Sequence, residues 1–131
     1  MRERGRGAIV TVASTAGRAG APYTAAYTAS KHAAVGLMRA IAAELAGSGV
    51  TANAVCPAFV DTPMTERSVA NIVRRTGRSE AESTAALAAS SPLGRLLDPD
   101  EVAAAVVWLA SPDAAAISGQ TLVLDGGGIQ T

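Results

Sequence analysis

Apolar positions run along this chain in two rhythms. "AIVTVAS" (8–14) is short, apolar and rich in β-branched residues, which predicts a buried strand. "TAGRAGAPYT" (15–24) is broken by glycine and proline and reads as a loop. From about Ala25 to Ala46 the rhythm changes. Tyr27, Lys31, Ala34, Met38, Ile41 and Leu45 recur at alternating spacings of four and three, which is one face of a helix. "GSG" (47–49) stops it. "VTANAVCPA" (50–58) predicts a second strand, ended by Pro57. The stretch 59–96 is long and mixed, with two weakly amphipathic helical pieces and no clear strand. In "DPDEVAAAVVWLAS" (98–111) Asp98 stands at an N-cap, Pro99 at the first helical position and Glu101 at the capping-box position. Val102, Val106 and Leu109 form its apolar seam. "QTLVLDGGG" (120–128) predicts a third strand running into glycines. Strands alternating with helices predict an α/β fold with a parallel sheet and right-handed crossovers.

Composition narrows the function classes. The chain has 131 residues, 49% of them hydrophobic and 17% charged, as expected of one small domain with a core. Eleven basic residues balance eleven acidic ones, so there is no electrostatic footprint for nucleic acid or an acidic membrane. Arg74, Arg75 and Arg78 read as a solvated helix face. The single cysteine, Cys56, excludes an internal disulfide, reads as a small buried residue and fits a reducing, cytoplasmic setting. No apolar run is long enough to span a membrane, and the start does not read as a signal peptide. His32 reads as a helix-surface residue with no metal-ligand set around it, so no metal is expected.

In a parallel sheet, ligands bind beyond the carboxyl ends of the strands. Ser14 closes the first strand, the first turns of the long helix follow on the same side, and Thr62 follows the second strand. Tyr27 and Lys31 lie four residues apart on one helical face, about 6 Å along the axis. A phenol is a poor acid or base at neutral pH, and a neighbouring ammonium and a helix N-terminus favour its ionised form. Such a group passes a proton to or from a carbonyl or alcohol oxygen, and a serine hydroxyl holds the same oxygen. Each residue alone has a plainer reading: a surface pair, a turn serine, a helix-capping threonine. Only the joint arrangement points to chemistry. Lys31 is the chain's one lysine beside ten arginines, at a place that suits a compact ammonium better than a guanidinium fork.

Tyr27-Thr-Ala-Ser-Lys31 resembles the YxxxK motif of the short-chain dehydrogenase/reductases, with Ser14 thirteen residues upstream, where that family places its serine. "NAVCPAFVDTPM" (53–64) is similar to the family's nicotinamide-packing segment, and "SGQTLVLDGG" (118–127) to its last strand. The resemblance implies the C-terminal part of a doubly wound, Rossmann-like parallel sheet, about three strands with flanking helices, as a single partial NAD(P)-binding unit over 1–131 with a substrate lid at 63–97. It implies Tyr27 as general acid/base, Lys31 assisting it and holding the nicotinamide ribose, and Ser14 positioning the substrate. Tyr27 and Lys31 would touch the cofactor, NAD or NADP, and Pro57, Ala58, Val60 and Thr62 would line its nicotinamide. The implied reaction is reduction of a ketone, including a 3-oxoacyl thioester, or oxidation of the secondary alcohol. The 3-oxoacyl reductases, hydroxyacyl dehydrogenases and polyketide ketoreductases are the nearest in look. A small-molecule substrate and a homo-oligomer are the implied partners.

Departures set further expectations. The Gly-rich turn, the residue that reads the adenosine ribose, the Asn-Ala-Gly segment and the family's catalytic asparagine have no counterpart in the sequence. Ala58 stands where glycine is usual and Thr11 where asparagine is common. We therefore expect a truncated chain, its Met1 an internal methionine or the chain a gene remnant. It would be inactive on its own, with the first strand, apolar as a central strand is, left open on one edge. The alternative is a non-catalytic half-domain that oligomerises or regulates.

Overall fold

A computed structural model describes residues 1–130. Its sheet has three strands, all parallel, in the spatial order β1 (Gly7–Val12), β2 (Val50–Pro57), β3 (Thr121–Leu124). Gly7 pairs with Val50 and Val12 with Val55, while Ala54 pairs with Thr121 and Pro57 with Leu124. α1 (Ala25–Glu44) crosses from β1 to β2. α2 (Pro63–Thr76), α3 (Glu80–Ala88) and α4 (Pro99–Ala110) lie between β2 and β3. The α/β class and parallel order are those read from the sequence. No helix among the described residues is long and apolar enough to cross a membrane.

The two faces of the sheet carry separate cores. On one face Val35, Met38 and Ala42 of α1 pack with Ala52, Ala54 and Cys56 of β2. The helical stripe is correct, but its deepest positions include Val35 and Ala42, which flank the residues the spacing picked out. On the other face Leu109 and Ala114 are buried with Val55, and Val102, Ala105 and Val106 pack against them, which is the predicted α4 seam. β2 is buried at all eight positions because it has a strand on each side and a helix on each face. The expectation that β1 is buried as a central strand does not hold. It has a neighbour on one side only among the described residues, its positions are half-buried, and Val12 is 49% exposed. The open edge that was expected is there.

Element ends differ from the periodicity by one to four residues. Ser14 falls outside β1 and begins a 3₁₀ turn, Thr15–Gly17. The long helix stops at Glu44 rather than Ala46, and β3 stops at Leu124, because Asp125 turns the chain. α2 is more strongly amphipathic than its sequence suggested, with Thr65 and Val69 buried and Arg74 and Arg75 exposed. Asparagine 53, inside the apolar β2, is 1% exposed and held at both ends of its amide. Nδ2 donates to the Ile117 carbonyl at 2.8 Å, and Oδ1 accepts from the Gln120 amide at 3.0 Å.

α4 starts as read. Asp98 Oδ1 accepts from the Asp100 amide at 2.8 Å, and Glu101 Oε2 accepts from the Asp98 amide at 2.8 Å. Arg95 grips Glu101 with two bonds of 2.7 Å. These donors, Arg95 first and the Asp98 amide second, pull the Glu101 carboxyl from its ordinary value near 4.5 to about 2. A carboxyl depressed on folding stabilises the fold above its unfolded value, and that contribution disappears as pH falls toward the folded one. Glu101→Gln is therefore expected to lower the urea midpoint at pH 7, with the gap to the unaltered chain closing between about pH 4.5 and about pH 2. A gap that is constant over that window removes the ion pair from the account.

Candidate active site

The polar residues singled out from sequence gather at the carboxyl ends of β1 and β2. Ser14 follows β1 in extended backbone, and its Oγ accepts from the Ala16 amide at 3.1 Å. With that lone pair engaged, the serine proton remains to be given to another oxygen. Burial pushes the Cys56 thiol up, against the lowering effects of the Ser14 backbone amide and of Arg18, Arg39 and Lys31, so it stays a neutral packing residue.

Tyr27 and Lys31 occupy the first turns of α1. The Lys31 ammonium stands 5.6 Å from the centre of the Tyr27 ring and donates to the Val12 carbonyl at 3.4 Å, two residues before Ser14. The ammonium thus ties the helix carrying the phenol to the strand end carrying the serine. It lies over the ring face, where the π-cloud attracts it. Tyr27 is 41% exposed, so its hydroxyl is open to a ligand.

Gly17 sets how closely these parts approach, and the sequence reading passed it over. It is buried, and a Cβ placed there would lie 2.8 Å from the Lys31 carbonyl oxygen and 3.1 Å from Val35 Cγ2. Only a residue without a side chain lets the Ser14 turn rest on α1 at Lys31. Gly17→Ala is expected to cost about 1–3 kcal/mol, as overpacked sites do. It should also slow any chemistry that needs Ser14 and Tyr27 on one substrate oxygen. Unchanged denaturation and unchanged turnover together would show that the contact relaxes freely.

The segment after β2 is held on both sides. The Ala58 amide bonds the Leu124 carbonyl at 2.9 Å, and Val60 bridges Leu97. Pro57 is buried, while Ala58, Val60 and Thr62 are half-buried. Thr62 stands at the N-cap of α2, but its hydroxyl donates to the Val60 carbonyl at 3.3 Å and does not cap, contrary to the plain reading of that residue. The buried Thr65, which sequence reasoning missed, donates to the same carbonyl at 2.6 Å and fixes the turn. His32 is exposed, with Nδ1 3.0 Å from the Thr28 carbonyl oxygen, and the described residues hold no metal-ligating cluster.

A larger trough of about 470 Å³ lies at the opposite edge, between Arg39, Ala42 and Gly49 at the amino end of β2. It carries one charged side chain and no proton-transfer pair. The hydroxyl, phenol and ammonium described above lie instead at the carboxyl edge.

An all-parallel sheet with helices on both faces and a hydroxyl, a phenol and an ammonium at its carboxyl edge defines part of a doubly wound α/β fold of the nucleotide-binding kind. A family model described as enoyl-(acyl carrier protein) reductase matches residues 1–128. The chain belongs to this family of short-chain dehydrogenases/reductases. It is 45% identical over 127 residues to a ketoacyl reductase assigned to the monensin polyketide synthase of Streptomyces virginiae, covering 97% of this chain and 49% of the relative. It is 35% identical over 128 residues to a D-beta-hydroxybutyrate dehydrogenase of Rhizobium meliloti, covering 97% of this chain and 50% of the relative. Among solved structures, an actinorhodin polyketide ketoreductase variant with NADPH superposes with a TM-score of 0.90 at 42% identity, covering 98% of this chain and 49% of that one. The chain spans about half the length of the curated relatives it matches.

Proposed function

We propose that this chain carries the proton-transfer half of an NAD(P)-dependent ketone reductase acting on a 3-oxoacyl thioester or similar ketone, and on the alcohol in reverse. The observation that carries this reading is the Lys31 ammonium, bound at once to the end of β1 beside Ser14 and to the face of Tyr27. The names of the relatives, ketoacyl reductase and hydroxybutyrate dehydrogenase, support the substrate class. Ser14 donates its hydroxyl proton to the substrate carbonyl oxygen and fixes its position. Tyr27 delivers its phenolic proton to that oxygen as the carbon is reduced, giving the secondary alcohol. Lys31 stabilises the tyrosinate left behind and meets the ribose of the nicotinamide. A bound dihydronicotinamide supplies the hydride. Residues 63–97, with α2 and α3, form the lid over the substrate.

Pro57, Ala58, Val60 and Thr62, on a segment held by the Ala58–Leu124 bond and the Val60–Leu97 bridge, would line the nicotinamide end of the cofactor, and Lys31 would meet its ribose. The sequence offers no Gly-rich turn between a strand and a helix for the pyrophosphate, so steady turnover by the chain alone is expected to be slow. It follows that the chain should bind NADH, NADPH and reduced nicotinamide mononucleotide with comparable affinity, read by fluorescence titration. A clear advantage of either dinucleotide over the mononucleotide would mean that this chain also grips the adenosine half. The open edge of β1 favours a second reading, a half-domain that acts by pairing. Saturable binding of the mononucleotide at Lys31, lost in Lys31→Met, speaks against it.

A further inference from the structure

The trough of about 470 Å³ at the amino edge of the sheet has a chemistry of its own. Its walls are the last turns of α1, the turn into β2 and the loop that enters β3. Arg39, Ala42, Ala43, Ala46, Thr51 and Ser118 stand in them. The two sides are close, since a Cβ on Gly119 would lie 3.6 Å from the Ala42 Cβ. Small-molecule pockets commonly enclose about 300–1,000 Å³, and a water-sized group takes about 30 Å³, so a ligand of roughly ten non-hydrogen atoms fits with room for water.

The polar side chains of the trough are donors without acceptors. Arg39 is exposed and makes no ion pair with any described residue. It is the one charged residue lining the trough, so no carboxylate stands beside it. Thr51 is 9% exposed, and its hydroxyl bonds no group among the described residues. A hydroxyl so deeply set calls for an acceptor. Ser118 Oγ accepts from the Ala52 amide at 3.2 Å, which leaves its proton to give. A guanidinium fork with two hydroxyl donors asks for an anion that accepts several bonds at once, and a carboxylate matches the fork.

The rest of the lining sets what that carboxylate carries. Ala42, Ala43 and Ala46 give carbon surface. α1 ends at Glu44, five residues beyond Arg39 and about 7.5 Å along the axis. Helical side chains lean toward the N-terminus, so the guanidinium sits clear of the carbonyl end of α1. That end is partly negative and repels a second anion. The ligand is therefore negative at one end and uncharged at the other.

We propose that this trough binds a monocarboxylic acid with an apolar tail, the carboxylate on Arg39 and Thr51 and the tail along the alanines of α1. The site lies across the sheet from Ser14, Tyr27 and Lys31 and has no proton-transfer pair, so the acid is bound there and not converted. It is independent of the ketone-reduction reading.

Titration of the 131-residue chain with sodium octanoate, followed by backbone amide shifts, tests this. Saturable shifts are expected at Gly47, Gly49, Ser118 and Gly119, with Tyr27, Lys31 and Ala58 unmoved. Octanol, the same tail without the charge, should bind about tenfold more weakly, the order of one charge-assisted bond. Octanedioate should also bind more weakly, because its second carboxylate meets carbon and the helix end. Arg39→Gln should cost octanoate about tenfold and leave octanol unchanged. Ala43→Trp fills the trough and should abolish binding; both positions are exposed, so the melting temperature of each variant should hold. No saturable shifts at the trough, octanol binding as tightly as octanoate, or octanoate affinity unchanged in Arg39→Gln overturns the proposal. Shifts centred on the carboxyl edge, or on the exposed Leu37 or Trp108, do the same.

Discussion

Tyr27→Phe is expected to slow hydride delivery to a ketone by roughly 10²- to 10⁴-fold, the range a positioned acid–base group contributes. The substitution removes one oxygen and keeps the ring, so the ammonium at 5.6 Å from its centre keeps its partner. Tyr27 is 41% exposed and outside both cores, so the fold has no reason to change. Cofactor affinity should hold, because the wall proposed for the nicotinamide lies after β2 and Lys31 is unchanged. Single-turnover oxidation of NADPH with the chain in excess separates these effects. A rate indistinguishable from that of the unaltered chain moves the proton-transfer role to another group.

Asn53→Ala carries the second large effect, on stability. Its amide holds the Ile117 carbonyl and the Gln120 amide from a position 1% exposed, and those two groups fix the approach to β3. β3 has four residues and one neighbouring strand among the described residues, and the two Asn53 bonds reinforce the entry to its ladder. Truncation leaves a donor and an acceptor without partners, each at about 1–3 kcal/mol, and the expected loss is about 2–4 kcal/mol. Against a domain stability of roughly 5–15 kcal/mol that is a large share. Urea denaturation measures it. A loss no larger than that of a surface alanine substitution would mean that water replaces both bonds.

Much of this was legible in the sequence, and what was not shares one cause. Period and punctuation act over a few residues, so β2, α1 and the start of α4 could be read. The Asp98–Glu101 capping box is four residues long and appears as read. Ser14, Tyr27 and Lys31 share one sheet edge because the loop over 13–24 leads from the carboxyl end of β1 to the start of α1. Asn53, Ser91 and Asp125 were missed because their partners lie 34 to 67 residues away. One signal was available: a polar residue in the middle of "VTANAVCP" needs a buried partner, and a strand of that composition is buried on both faces. Gly17 was missed for a related reason, since its role is set by the Lys31 carbonyl of a different element. The burial of β1 was misjudged because apolar pattern reports what a strand is suited to, and neighbours decide what it gets.

The account stands on the nicotinamide docking at the carboxyl edge of this sheet. Backbone amide shifts followed during titration with NADPH test this most directly. The predicted result is saturable shifts at Ser14, Tyr27, Lys31, Ala58, Val60 and Thr62, with Arg39, Gly47, Gly49 and Ser118 around the opposite trough unmoved. Shifts concentrated at that trough, or none at the carboxyl edge, would contradict it.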